Sequence, residues 1–327
     1  MRSLKWGHKL LSLAVSGLFV FTSVSNLANA SSTSATSVST PDKAVRTASV
    51  AKASIASPAP SSRNLSSGLD IPDVRSDSAL VIDETNSAVL YAKKADVALP
   101  IASITKLMTA LVVLEAELPL EEQIEITRDD RDTEKGSYSR LHIGAKLSRG
   151  DLLQLALMSS ENRAAHALGR NYPDGLTAFV AAMNAKAKAL GMTKSRFVEP
   201  TGLSSRNVAS PADLSKLVIA ASENPVIREY STNKEYAVAV GRQMLTFRNT
   251  NTLVSNPTWD VMVQKTGYIT EAGQCLVMKA MIEGREIVIV LLNSFGKYTR
   301  VADAKRIRTW MEASQLSATN TKLASKP

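Results

Sequence analysis

The chain has 327 residues, 44% of them hydrophobic and 21% charged, an ordinary globular composition with room for one large domain or two small ones. Its formal charge of +9 is concentrated at the ends: residues 1–30 carry three positive charges and no acid, residues 31–68 a net +3, and Lys322 and Lys326 two more. Residues 69–314 are left near neutral, at +1, which argues against a nucleic-acid binder with a basic groove. The basic ends read as solvated segments, or as a loose attraction to an anionic envelope surface.

The single cysteine, Cys275, excludes an intrachain disulfide, and its run Cys275-Leu276-Val277-Met278 reads as core rather than as a nucleophile's setting. His8, His142 and His166 are too few and too scattered for a metal cluster, and no phosphate-cradling glycine loop is present, so neither a metal nor a cofactor is expected.

Arg2, Lys5 and Lys9 precede an apolar stretch, Leu10 to Phe21, that ends in Ala28-Asn29-Ala30. This is the pattern of a secretory signal peptide cut after Ala30, and the run is too short and too broken for a transmembrane anchor. Residues 31–68 are mostly Ser, Thr, Ala and Pro and read as a disordered linker. The folded part is expected over residues 69–314, followed by a polar tail, 315–327.

Strands are predicted at 79–83 and 88–92, joined by a turn at 84–86. Pro100 introduces a buried helix over 101–114. Helical spacing recurs at 151–158, 163–170, 176–190 and 211–222, and strand patterns return at 235–240, 243–248, 260–265, 273–282 and 286–292. An amphipathic helix closes the fold at 299–313. Strands at both ends of the chain around a helical middle predict an α+β domain whose terminal pieces share one antiparallel sheet with helices packed on it.

Three short motifs carry chemistry. Ser103-Ile104-Thr105-Lys106 is SxxK, Ser160-Glu161-Asn162 is SxN, and Lys265-Thr266-Gly267 is KTG. SxxK also occurs at Ser49/Lys52, Ser231/Lys234 and Ser294/Lys297, and SxN recurs at Ser222 and Ser205, so context selects among the copies. Ser103 opens the most apolar helix of the mature chain, and Ser160 lies between two helices.

Residues i and i+3 are helix neighbours, so Lys106 can reach the Ser103 hydroxyl. Serine needs a base, and a lysine is a base only when neutral; burial and a second cation, Lys265, both favour that form. The Ser103 and Tyr268 N–H groups are candidate oxyanion donors. Lys265 and Thr266 suit a substrate carboxylate, and Gly267 would let a substrate backbone approach closely. Ser160 can relay a proton to a leaving amine, and Asn162 can orient Lys106 and a substrate amide.

At these residues the chain resembles the low-molecular-weight penicillin-binding proteins, the D-alanyl-D-alanine peptidase family. The resemblance spans roughly residues 70–310 and includes Ala98-Leu99-Pro100-Ile101-Ala102-Ser103 with Ile104 to Ala110. It also includes Phe197-Val198-Glu199-Pro200-Thr201-Gly202-Leu203 and Ser210-Pro211-Ala212-Asp213-Leu214. It implies Ser103 as the acylated nucleophile, Lys106 as the base, and Ser160, Asn162, Lys265 and Thr266 completing the site. The implied fold is a five-stranded antiparallel sheet flanked by helices, beside a helical subdomain.

Peptidoglycan peptides are the implied substrates, β-lactams the implied covalent inhibitors, and the periplasm the implied compartment. Only 60 residues follow Gly267, so the chain looks like the short, penicillin-binding protein 7 type DD-endopeptidase branch, which cuts the D-alanyl–diaminopimelyl cross-link. A carboxypeptidase releasing terminal D-alanine is the alternative, because either leaving group carries a carboxylate beside a D-centre. A β-lactamase is disfavoured: Glu199-Pro200 is superficially like the glutamate loop of class A enzymes, but Thr201-Gly202-Leu203 does not continue it. A non-catalytic wall-binding protein is disfavoured by the intact motifs.

Overall fold

The computed structural model describes residues 71–324. The expected signal segment, 1–30, and linker, 31–68, lie outside the described residues.

Two strands, β1 (Ser78–Asp83) and β2 (Ala88–Lys93), open the fold, followed by the two-residue β3 (Leu99–Pro100). A 3₁₀ turn over Ala102–Ile104 leads into α1 (Thr105–Glu115). The middle of the chain holds β4 (Gln123–Glu125), β5 (Lys146–Ser148), α2 (Arg149–Met158), α3 (Asn162–Arg170) and α4 (Gly175–Ala189). It continues through β6 (Val208–Ala209), α5 (Pro211–Glu223) and α6 (Pro225–Thr232). The hairpin β7 (Glu235–Val240) and β8 (Gln243–Arg248) precedes β9 (Asp260–Ile269), β10 (Gly273–Ile282), β11 (Arg285–Ser294) and α7 (Thr299–Ala324).

The five-stranded sheet has the order β2-β1-β11-β10-β9 and is antiparallel throughout. Chain start and chain end thus meet in one sheet, and the expected α+β architecture holds. The sheet's central strands bury both faces, which is why they read as nearly continuous apolar runs. In β11, Val288, Val290 and Leu292 face the helical body, while Ile287, Ile289 and Leu291 face the opposite side. Leu214, Leu217, Val218 and Ala221 of α5 cover the first face; Ala304, Ile307 and Met311 of α7 cover the second. Each of the valine, leucine, isoleucine and methionine side chains among them contributes about 1.5–3 kcal/mol on burial. Buried Asp303 of α7 accepts from Ser76 N at 2.7 Å and Arg75 N at 2.9 Å, fastening the last helix to the entry of β1.

Several elements differ from the sequence-based expectation: β9 runs on to Ile269 rather than ending at Lys265, and the sequence patterns predict no strand at β3, β4, β5 or β6. A helix not expected from the sequence follows α5: Pro225 takes the first position of α6, and the Asn224 side chain caps Val226 and Ile227 N–H. The pair β7–β8 forms its own two-stranded sheet. Helix α7 runs to Ala324 instead of stopping at Ala313, since no glycine or proline lies between Thr299 and Ala324.

The edge strand β9 and the 3₁₀ turn before α1 lie against each other, and the α2–α3 junction joins them. All three motifs converge there.

Candidate active site

The turn that presents Ser103 is built from both sides. Ile101 N donates to Asn207 O at 3.1 Å, and β3 pairs with β6. Thr105 Oγ1 donates to Ala102 O at 2.8 Å, and Asn207 Nδ2 donates to Thr105 Oγ1 at 3.1 Å. Ala102 has φ 47°, a left-handed conformation that costs a non-glycine residue of order 1–3 kcal/mol. Ser160, between α2 and α3, has φ 63° and stores strain of the same kind.

Two glycines press on the same peptide. A Cβ on Gly267 would stand 2.9 Å from Ile101 O and 3.0 Å from Ser103 N. A Cβ on Gly202 (φ 83°) would stand 1.9 Å from Ala102 O. The chain's own Ser103 turn therefore calls for glycine at 267, a neighbour that the pattern of β9 alone does not reveal.

Lys106 is fully buried, and its Nζ has three partners: Ser103 Oγ at 2.9 Å, Asn162 Oδ1 at 2.7 Å and Thr201 O at 2.6 Å. The two carbonyl-type oxygens only accept, so a neutral amine spends both of its protons on them and turns its lone pair to Ser103 Oγ. Asn162 is held in that orientation by its Nδ2, which donates to Ser137 Oγ at 2.9 Å. Burial lowers the Lys106 pKa to about 8, against the opposing pull of Glu199, Glu161 and Asp132.

Lys265 is also buried, and its Nζ donates to Ser160 Oγ at 3.0 Å and to Thr266 O at 2.9 Å. Burial first, then the charges of Lys106 and Arg300, push its pKa well down. Thr266 Oγ1 and Thr250 Oγ1 share a hydrogen bond of 2.7 Å. Tyr268 pairs with Gln274 in the sheet, and its side chain is 59% exposed at the end of the groove. All eight site residues named from the sequence thus lie on the three converging segments.

Sequence reasoning gave no role to several residues that support them. Glu199 accepts Thr201 N and Oγ1 on Oε2, and Gly202 N on Oε1, each at 2.6 Å. Both oxygens are engaged by the loop itself, so Glu199 is not placed as a water-activating glutamate. Thr201, Thr250 and Ser137 act through contacts distant in sequence, which no local pattern announces. On the Asn162 side, a cleft of about 310 Å³ includes His166. His166 Nδ1 lies 2.8 Å from Asp130 Oδ1, and Arg170 donates to both Asp130 oxygens at 3.0 and 2.9 Å. Cys275 is buried in β10, where burial pushes its thiol up to about 11.

The family model described as peptidase S11, D-alanyl-D-alanine carboxypeptidase, matches residues 66–296. The chain belongs to this family of serine DD-peptidases. It is 49% identical to the D-alanyl-D-alanine endopeptidase of Pseudomonas aeruginosa, over 83% of this chain and 86% of that one. It is 47% identical to the D-alanyl-D-alanine endopeptidase of Escherichia coli, over 75% of this chain and 80% of that one. The crystal structure of the Streptomyces K15 DD-transpeptidase superposes with a TM-score of 0.69 at 28% identity, covering 74% of this chain and 98% of that one. The family assignment agrees with the motif resemblance and with the sheet and helix layout. Among the described residues, no helix is long and apolar enough to cross a membrane.

Proposed function

We propose that the chain is a periplasmic, penicillin-binding D-alanyl-D-alanine endopeptidase that opens peptidoglycan cross-links through an acyl-enzyme on Ser103. The observation that carries the chemistry is the Lys106 amine, buried, 2.9 Å from Ser103 Oγ and anchored by two oxygens that cannot donate. The endopeptidase specificity is supported by the two relatives of that name, each close to half identical over three quarters or more of this chain.

In the proposed cycle, the carboxylate of the leaving D-centre binds Lys265 and the Thr266 hydroxyl. That anion favours a charged Lys265, and the neighbouring positive charge favours a neutral Lys106. Lys106 takes the Ser103 proton as Oγ attacks the D-alanyl carbonyl carbon. The Ser103 and Tyr268 N–H groups hold the oxyanion. As the C–N bond breaks, Ser160 gives its proton to the leaving amine and is refilled from Lys265, whose Nζ already donates to it. Water then enters in place of the amine. Its proton passes through Ser160 to Lys265 as the hydroxide adds to the acyl carbon, and Lys106 returns a proton to Ser103 Oγ. The cycle closes without a metal or cofactor. A β-lactam presents the same carboxylate and carbonyl and is opened by Ser103 in the same way.

The experiment is digestion of a purified cross-linked muropeptide dimer and of a monomeric pentapeptide, read by mass spectrometry. The proposal expects the dimer to be split into monomers and the pentapeptide to be spared. Release of terminal D-alanine alone would make the enzyme a carboxypeptidase.

A further inference from the structure

A scissile bond has two sides, and the motifs describe only the leaving residue's carboxylate, at Lys265 and Thr266. Ser160 stands beside that residue, and its neighbours Ser159 and Glu161 form one wall of a cleft of about 400 Å³. The other wall is the end of β8, Thr246 to Arg248, two residues before the Thr250 that supports Thr266. The cleft therefore begins where a leaving group longer than one residue must continue. The Asn162 and His166 cleft lies on the other, Lys106 side.

The lining is a built one. Glu161 is 8% exposed; the Ser139 side chain and the Arg163 backbone N–H hydrogen-bond to its carboxyl, yet Oε1 has no partner among the described residues. An unpaired acceptor in that position is costly unless a ligand supplies a donor. Two guanidinium groups line the same cleft. Arg140 is fixed by Thr246 O, to which Nη1 donates at 2.9 Å, and by the Phe247 ring, 3.8 Å beneath it. Arg248 lies 3.8 Å from Glu235 in an ion pair exposed on both sides, which holds it weakly.

We propose that this cleft is the subsite for the leaving half of a cross-link: an anionic peptide continuing from the D-centre, its further carboxylates facing Arg248 and Arg140 and one of its N–H groups donating to Glu161 Oε1. The inference rests on the endopeptidase reading and deepens it. A single D-alanine ends at the carboxylate pocket and has nothing to place in the cleft. The leaving stem of a cross-link carries amides and carboxylates beyond it. The cleft is thus a feature that separates the two substrates, which the three motifs do not.

The test compares wild type, Arg248→Ala and Glu161→Gln on two reactions: hydrolysis of the cross-linked muropeptide dimer, and acylation by penicillin, whose leaving side ends at its carboxylate. In Glu161→Gln the donors from Ser139 and Arg163 retain the amide oxygen, so an NH₂ group replaces the unpaired acceptor. The ratio of kcat/KM for the dimer to the penicillin acylation constant is expected to fall about tenfold in each variant, through KM. An unchanged ratio, whether both constants hold or both fall together, overturns the subsite. Arg248 is exposed, so its variant reports even if Glu161→Gln folds poorly. A wild type that cuts the dimer with an unchanged ratio in the variants removes the subsite alone. A wild type that spares the dimer removes the endopeptidase reading and the subsite with it.

Discussion

Lys106 Nζ donates to the Thr201 carbonyl oxygen at 2.6 Å, and Thr201 is itself held by Glu199, whose Oε2 accepts from Thr201 N and Oγ1. Glu199 thereby positions, through Thr201, the amine proposed as the base. It is also the foremost of the charges that hold the Lys106 pKa up against burial. Glu199→Gln should slow penicillin acylation roughly tenfold, because an amide cannot accept on both sides as the carboxylate does. It should also move the pH midpoint of acylation downward, since a charge favouring protonated Lys106 is gone. A purely structural role would leave that midpoint in place, so a pH profile decides between the two.

The wild-type profile has a definite sign. Lys106 acts as a base only in its neutral form, and its pKa stands at about 8. Penicillin acylation should therefore climb as pH rises from 6, reach half its maximum around 8, and level off above. A rate that is flat over this range, or falls, would remove Lys106 as the general base. Lys106→Ala should lower acylation by about 10³-fold, within the span of general-base catalysis. Ser103→Ala should abolish labelling by penicillin while thermal unfolding stays close to wild type.

The two glycines around the Ser103 turn make separable predictions. Gly267→Ala sets a Cβ at 2.9 Å from Ile101 O and 3.0 Å from Ser103 N, both backbone atoms, so the Ser103 turn itself must shift. It should cost about 1 kcal/mol of stability and displace the nucleophile, lowering acylation by about 10²-fold, a loss comparable to that of one oxyanion donor. Gly202→Ala combines a 1.9 Å overlap with Ala102 O and a left-handed φ of 83°, so it should destabilise the fold by about 3 kcal/mol. Acylation kinetics and thermal unfolding of both variants check the contrast.

What could be read ahead of the structure depended on how local the signal was. Ser103 and Lys106 stand one helical turn apart, so their spacing alone states that they can touch. Lys265, Thr266 and Gly267 share one strand, and the order of the motifs supplied the rest. The apolar runs of β10 and β11 announced strands, and the structure adds that both faces are buried. Glu199, Thr201 and Thr250 escaped because their partners lie far away in sequence: Thr201 meets Lys106, and Thr250 meets Thr266. For Gly267 the structure adds a neighbour, the Ser103 turn, which comes from another part of the chain and leaves no mark on the strand's own pattern. Helix α6 escaped because proline both breaks and begins helices, and only the Asn224 cap distinguishes the two.

Thr266 Oγ1, proposed above to bind the substrate carboxylate, shares a hydrogen bond of 2.7 Å with Thr250 Oγ1. Thr250→Val keeps the shape and removes that partner, so the Thr266 hydroxyl loses its orientation. The expected result is a roughly fivefold rise in KM for the muropeptide dimer with kcat nearly unchanged, the size of one neutral hydrogen bond. Steady-state kinetics on the dimer measure this directly, and a loss confined to kcat would contradict a role in binding the carboxylate.

Asp130 carries a prediction about stability rather than rate. Its side chain is fully buried and faces His166 and Arg170, whose hydrogen bonds outweigh desolvation and hold its pKa below the ordinary carboxylate value. A carboxylate with a depressed folded-state pKa adds stability above its unfolded value, near 3.8, and loses that contribution as pH falls through the folded value. Asp130→Asn should therefore cost about 2 kcal/mol at pH 7, where it leaves the partly exposed Arg170 without its counter-charge. The difference between variant and wild type should shrink steadily below pH 4. Chemical unfolding of both proteins at pH 7 and pH 3 measures it, and an equal difference at the two values would show that Asp130 contributes shape rather than charge.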